Sequence, residues 1–383
     1  RQRQMCIRDS FILRETAACI SSCMSEKQRV YKLMADEFLI LDVSSDDTKE
    51  AGKLFIKIRE SIDQFVEEND FEVMYTISGG SLALHSSENI EYSKVMKLTD
   101  FSLNEAKKRG RNRCYIFDEK DYSRFIRKGE ITQELREATR NGFQGFVAFY
   151  QPVIEAKSGR LSGAESLMRF SSSKFGMVSP VEFIPILEET GLIIPVGRWM
   201  MKEAMEKCSQ IRKVIPGFKV NINISQVQVS KSDVIIDIAD EMEKAGLSPE
   251  AMNIELTESD LLEGDINTQH FLKELKRMGI KLALDDFGTG YSNFHYLSEL
   301  DPEIIKIDRS FTSSAVADEK EYYLLKQFCR MIHNLGLKIC IEGVENQEEW
   351  AKIQKLEPDF GQGFFWGRPC GYDEFVRQFI EKK

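Results

Sequence analysis

A chain of 383 residues is longer than one hydrophobic core ordinarily supports, so two domains are expected. Its formal charge of −10 argues against a duplex-DNA or anionic-membrane surface, and no apolar run approaches the roughly 20 residues of a membrane helix, so neither DNA nor membrane contact is expected. Eight scattered cysteines without C-x-x-C spacing, and four histidines (His85, His270, His295, His333) without ligand spacing, speak against zinc and disulfide frameworks and fit a reducing cytoplasm.

Residues 1–10, RQRQMCIRDS, show neither helical nor strand periodicity and lack an initial Met, so they are expected to be unstructured, as a cut or foreign end would be. Phe11 to Met24 reads as a helix, and Arg29 to Val43 alternates like a hairpin turning at Met34 to Glu37. Gly52 to Glu68 is an amphipathic helix with Leu54, Ile58, Ile62, Phe65 and Val66 on one face. Phe71 to Leu84 reads as a strand with a Gly-Gly bulge or bend, Tyr92 to Lys108 as a helix closed by Gly110, and Asn112 to Phe117 as a strand. Over residues 11–120 the order is α-β-β-α-β-α-β.

Within that stretch LMADEF at 33–38, with TDFSLNEAKKRGRNR at 99–113, resembles the second half of a GGDEF (diguanylate cyclase) domain. The family's paired glycines are Met34 and Ala35 here, and side chains at those places obstruct the backbone's approach to a nucleotide phosphate. The upstream strand carrying the family's first metal-binding Asp is missing. Asp36, Glu37, Lys107 and Arg111 match metal- and phosphate-contacting positions, and Phe38 closes the motif. The resemblance therefore implies a truncated, degenerate GGDEF domain without cyclase activity, and leaves GTP binding open.

Tyr122 to Asn141 is polar and helical in period, a linker helix over 121–142. From Phe146 onward short apolar strands alternate with helical stretches. The candidate strands are Val147–Val153, Leu161–Phe170, Phe218–Ile224, Met252–Leu256, Ile280–Leu284, Ile304–Ile307, Leu337–Ile341 and Gly363–Trp366. Eight strands over about 235 residues predict an α/β fold, an irregular (β/α)8 TIM-like barrel over 143–383. The first two are joined by the short Glu155–Arg160 turn and should be antiparallel.

Barrel chemistry collects at the carboxyl ends of the strands. There stand Glu165, Asn223, Glu255, Asp285, Asp286, Lys306 and Glu342, with Gln362 just before the last expected strand. The Phe287-Gly288 turn can swing Asp286 to the side that Asp285 faces. Five carboxylates beside apolar strands would cost several kcal/mol each if unpaired, and bound cations are the natural compensation. Oxygen ligands without His or Cys select Mg²⁺ or Mn²⁺ over zinc.

With these residues placed, 143–378 resemble an EAL domain, a cyclic-di-GMP phosphodiesterase, sharing YQPV at 150–153, GLI at 191–193, the DDFGTGYSN loop and QGFFWGRP at 362–369. The name-giving triplet is Glu165-Ser166-Leu167, with Ser in place of Ala. The resemblance implies that Glu165, Asn223, Glu255 and Asp285 hold one metal, and that Asp285 bridges to a second held by Asp286 and Glu342. It implies Glu342 as base, Lys306 on the attacking water, Arg169 on phosphate, Gln151, Leu167, Glu345 and Gln362 in the pocket, and Glu258 anchoring the loop 287–294. The implied reaction is hydrolysis of cyclic di-GMP to linear pGpG, with pairing of two copies through the barrel left open. A non-catalytic cyclic-di-GMP receptor is the alternative, though no metal ligand of the family is missing; another barrel phosphodiesterase is a third reading.

Overall fold

The computed structural model describes residues 2–45, 47–69, 75–84, 90–257, 266–288 and 302–381. Glu258, loop residues 289–294, His85, His295 and the start of the expected strand at 71–74 lie outside them. The chain divides into two compact units, Arg1–Arg127 and Lys128–Lys383, and the division falls inside the helix Glu119–Arg140 rather than at either end of the expected linker.

In the first unit the residues expected to be unstructured form the opening turns of a helix, Gln2–Ser22. Neither Gly nor Pro interrupts residues 1–24, so a helix nucleated in the strongly helical part propagates back through Gln, Arg and Met despite the weak periodicity. The hairpin forms as expected, β1 (Gln28–Lys32) against β2 (Phe38–Asp42), with Glu37 N donating to Met34 O across the turn. Ala35 takes a left-handed φ of 50°, a conformation glycine adopts more cheaply, and Met34 is 83% exposed. Helix Thr48–Glu68, capped by Asp47, buries Ile58 and Ile62 against Cys19, Ile20 and Cys23. Leu54, Phe65 and Val66 join the same cluster, so the expected apolar face is the one used.

The expected bulge at Gly79-Gly80 is instead part of a short strand, β3 (Gly79–Ser81), parallel to β4 (Cys114–Ile116). The glycines serve close approach. A Cβ on Gly80 would lie 2.2 Å from the backbone nitrogen of Leu103, in the helix Tyr92–Lys108 that packs on the strand.

The second unit is a closed barrel. Its strands are β5 (Phe146–Glu155), β6 (Leu161–Ser172), β8 (Lys219–Asn223), β9 (Met252–Thr257), β10 (Lys281–Phe287), β11 (Ile304–Ile307), β12 (Lys338–Ile341) and β13 (Phe360–Gln362), while β7 (Gly176–Val178) and β14 (Cys370–Gly371) extend the sheet at β6 and β5. Pairing of β5 with β6 closes the ring, and β5 runs antiparallel to both its barrel neighbours, β6 and β13. The irregularity expected of the first hairpin is thus present. Helices such as Ile193–Arg212 and Glu319–Asn334 pack outside, burying Met201, Met205, Cys329 and Ile332. No helix among the described residues is long and apolar enough to cross a membrane.

The last strand lies three residues earlier than expected, at Phe360–Gln362. Gly363 has φ 158° and passes so close to Val344 that a Cβ would sit 2.1 Å from its carbonyl oxygen, which ends the strand there. The apolar Phe365 and Trp366 that suggested a strand cover the barrel instead, Trp366 packing edge-on to Trp350 at 4.8 Å.

Replacing Gly80 by Ala should destabilise the first unit by about 2 kcal/mol or more, because the new methyl meets helix backbone that cannot swing away. Thermal unfolding of the whole chain should show one transition lowered by several degrees. An unchanged transition would restore the bend reading.

Candidate active site

Alternation along each strand selects the residues that reach the barrel axis. Val153, Ala283, Ile304, Cys340 and Phe360 form an apolar plug, and one step toward the carboxyl ends the same faces become polar. There Lys306, on β11, crosses the barrel to β6 and its neighbours. The side chain is 1% exposed, and its Nζ lies 2.8 Å from Glu255 Oε2, 2.8 Å from Glu342 Oε1, and 3.2 Å from Glu165 Oε2 and Asp285 Oδ2.

Amides orient these carboxylates. Asn223 Nδ2 donates to Glu165 Oε1 at 2.8 Å, and Gln362 Nε2 donates to Glu165 Oε2 at 2.6 Å and to Gln151 Oε1 at 3.1 Å. Asn221 Nδ2 donates to Glu255 Oε1 at 2.7 Å and is itself held by Asn253 Nδ2 at 2.9 Å. Asn221 and Asn253 went unremarked in the sequence. Their signal was strand parity, each lying two residues before an expected ligand on the same face.

Asp286 takes a left-handed φ of 52° and donates its backbone N to Asp285 Oδ1 at 3.0 Å. The break in alternation occurs at Asp286 itself, ahead of the Phe287-Gly288 turn expected to cause it. Burial, then the charges of Asp285 and Asp308, raise its carboxyl, but it is not among the acids whose oxygens lie within 4.8 Å of one another.

Other expected residues lie apart. Arg169 donates to Met168 O and stands over the Phe149 ring at 5.6 Å, near enough to Glu165 to feel its charge without an ion pair among the described residues. Glu345 is taken by Arg309 at 2.6 Å. Leu167 faces Phe149 across the β5–β6 ladder.

The charge balance is the site's main property. Lys306 would lose its proton on burial alone, but Asp285, Glu165, Glu255 and Glu342 outweigh that and hold it well above the ordinary range. Burial would raise Glu165 as well, yet Lys306, Gln362 and Asn223 keep it low. Glu255 is driven well up by burial and by Glu165, and Glu342 is pushed up to about 8 by burial, against the pull of Lys306 and with Asp285 and Glu165 adding to the rise. One ammonium therefore cannot neutralise four carboxylates. Glu342 Oε1, although close to Lys306 Nζ, receives no hydrogen bond among the described residues, nor does Gln362 Oε1.

This donor set fits a hard divalent cation. Glu165, Glu255 and Asp285 place oxygens within 4.8 Å of one another, no nitrogen or sulfur ligand joins that group, and the surplus is negative.

Known proteins resemble both units of the chain. The family model of the EAL domain matches residues 132–369, and that of the diguanylate cyclase, GGDEF domain, matches 10–113. The chain is 30% identical to the signaling protein YkoW of Bacillus subtilis, over 97% of this chain and 46% of that protein. It is 28% identical to the bifunctional diguanylate cyclase/cyclic di-GMP phosphodiesterase MucR of Pseudomonas aeruginosa, over 95% and 53%. With the cyclic di-GMP phosphodiesterase NbdA of the same organism it shares 26% identity over 96% and 47%. The chain thus spans about half the length of the curated relatives it matches. Among solved structures, the PaMucR phosphodiesterase in complex with c-di-GMP aligns with TM-score 0.61 and 29% identity over 64% of this chain and 99% of that one. The EAL enzyme Bd1971 in its cAMP-bound form aligns with TM-score 0.62 and 26% identity over 76% of each.

The raised carboxyl of Glu342 makes stability depend on pH. Between the ordinary carboxylate range and about 8 the folded protein holds a proton there that the unfolded chain releases, so stability with divalent cations chelated should fall as pH rises from 5 to 8. Lys306, raised, loses its contribution only above that window. Glu342→Gln should flatten the fall by on the order of 1–3 kcal/mol, read from urea unfolding in chelator. A slope equal to wild type would assign the proton elsewhere.

Proposed function

Because the chain belongs to the EAL domain family, with a GGDEF domain ahead of the barrel, we propose that it hydrolyses one phosphodiester of cyclic di-GMP to give linear pGpG. The observation that carries this reading is the convergence of Lys306 with Glu165, Glu255, Asp285 and Glu342 at the carboxyl ends of the strands.

Glu165, Asn223, Glu255, Asp285, Asp286 and Glu342 would hold two Mg²⁺ or Mn²⁺ ions. Bound there, such ions supply charge neutralisation on the phosphate and a lowered pKa for water. Glu342, ionised once the cations are bound, would take the proton of the attacking water. Lys306 is fixed by four ion pairs, so its ammonium is already aimed where negative charge grows in the transition state and need not reorganise. Asn223 and Gln362 keep the Glu165 carboxylate in one orientation. Arg169, half-buried with its charge opposed by burial, is available to a phosphate oxygen pair, and Gln151, Leu167, Glu345 and Gln362 shape the pocket.

The first unit, in this reading, makes no cyclic di-GMP. Met34 and Ala35 fill the tip of the β1–β2 turn where a phosphate would need bare backbone. Product formed from GTP by the chain would overturn that.

Two substitutions test the barrel. Glu165→Ala should lose at least about 10³ in turnover of cyclic di-GMP, roughly 4 kcal/mol of transition-state stabilisation, as followed by nucleotide chromatography with Mg²⁺ or Mn²⁺. Near-native turnover would show the site is misplaced. Lys306→Ala should lower kcat strongly while calorimetry still detects cyclic di-GMP binding, since a contact made mainly in the transition state adds little to ground-state affinity. Parallel loss of binding and turnover, or a wild-type protein that binds without hydrolysing, would favour the receptor reading.

A further inference from the structure

One rung below the acids, β8 and β9 carry a pair of buried amides. The register sets Asn221 opposite Asn253, and Asn223 opposite Glu255 one step nearer the carboxyl ends. Asn223 bonds away from its rung partner, to Glu165 on β6. Asn221 instead reaches diagonally, from β8 to the next rung of β9, where its Nδ2 donates to Glu255 Oε1 at 2.7 Å. Lys306 Nζ holds the other oxygen, Oε2, at 2.8 Å, so each oxygen of the Glu255 carboxylate has its own donor. The Asn221 backbone is fixed as well, because Ser166 Oγ on β6 donates to its carbonyl oxygen at 2.8 Å. All four residues, Ser166, Asn221, Asn253 and Glu255, are buried.

The sense of the Asn221 amide matters. A carboxylate that binds a cation only accepts hydrogen bonds, so the amide must present Nδ2 to Glu255 and turn Oδ1 away. Asn253 Nδ2 donates to that Oδ1 at 2.9 Å and thereby occupies it. With the amide turned over, acceptor would face acceptor at Glu255 and donor would face donor at Asn253. Stability does not account for an asparagine at 253. Its own Oδ1 is buried and accepts no hydrogen bond among the described residues, whereas a leucine of the same branching would bring no unpaired acceptor. Exchanging Asn253 for leucine merely moves the unpaired acceptor from Asn253 to Asn221. What the exchange removes is the group that holds the Asn221 amide in one sense.

We propose that Asn221 is a positioning residue for Glu255 as a cation ligand, and that Asn253 sets the sense in which its amide acts. The inference rests on the reading of Glu255 as a ligand of bound Mg²⁺ or Mn²⁺. Both asparagines act through Glu255, keeping its remaining lone pairs directed to one point. Hydrogen-bond partners of this kind around a ligating side chain typically contribute about 10–100-fold in metal affinity or activity. The loss on removing them should therefore fall on the metal and leave nucleotide affinity in place.

Calorimetric titration of the whole, metal-free chain with Mn²⁺, beside turnover of cyclic di-GMP and urea unfolding in chelator, tests the pair. Asn253→Leu and Asn221→Leu should each bind Mn²⁺ about tenfold or more weakly than wild type. At limiting Mn²⁺ their turnover should fall by a similar factor and return toward wild type in excess Mn²⁺, with KM for cyclic di-GMP unchanged. Asn221→Leu strips a donor from a buried carboxylate, so the folding control is Asn253→Leu, whose unfolding midpoint should stay near that of wild type. Asn253→Ala, which adds no volume, should show the same loss of Mn²⁺ affinity. Wild-type affinity in the folded Asn253 variants, or a turnover loss that excess Mn²⁺ does not restore, overturns the proposal; failure of both Asn253 variants to fold assigns that residue to structure and overturns it too. Glu255→Ala distinguishes the underlying reading. If it binds Mn²⁺ as tightly as wild type, Glu255 is no ligand and both readings fall; if it is weakened while the asparagine variants are not, only the positioning role falls.

Discussion

One ammonium group shared among four buried carboxylates is the constraint on which the barrel's interior depends. A lone buried lysine or a lone buried acid would cost several kcal/mol, and both are tolerated here only because they meet. Lys306 spans the barrel to do so, reaching Glu165 on the far strand as well as Glu255, Asp285 and Glu342 nearer by. Yet the arithmetic does not close. The remaining charge is carried by protons on Glu255 and Glu342 or by a cation, and in both cases the same oxygens hold it.

The fold exists to bring these groups to one end. Parallel strands from β8 to β13 deliver each side chain from its own carboxyl terminus, and the reversed β5 contributes Gln151 from within its length. Beneath lies a plug of Val153, Ala283, Ile304, Cys340 and Phe360, an apolar floor under the polar layer. The orienting amides of Asn221, Asn223 and Gln362 add rigidity, because each is itself fixed on a strand. This is preorganisation supplied by backbone register.

Much of this was legible in the sequence where periodicity and chemistry agreed. Strand-end acids such as Glu255 and Asp285 stood out because a carboxylate ending an apolar alternation has few structural reasons to be there. The hairpin around Met34–Glu37 and the face of helix Thr48–Glu68 were readable for the same reason. Errors arose where one signal carried two meanings. Phe365 and Trp366 are apolar because they cover the barrel, and only the backbone approach of Gly363 to Val344 distinguishes that role from a strand. Gly79-Gly80 signalled backbone freedom, but the need was room beside Leu103. Asn221 and Asn253 were silent because an amide between apolar residues resembles a solvent-facing one until the opposite strand is in place.

The most direct test of the charge account is calorimetry of Mn²⁺ binding at pH 7 in two buffers of different ionisation enthalpy, which counts the protons exchanged. Protons held on Glu255 and Glu342 must leave when a cation takes their place, so the account predicts binding accompanied by net release of about one proton or more per protein. Mn²⁺ binding with no proton release, or no binding to a protein that retains all four carboxylates, would contradict it.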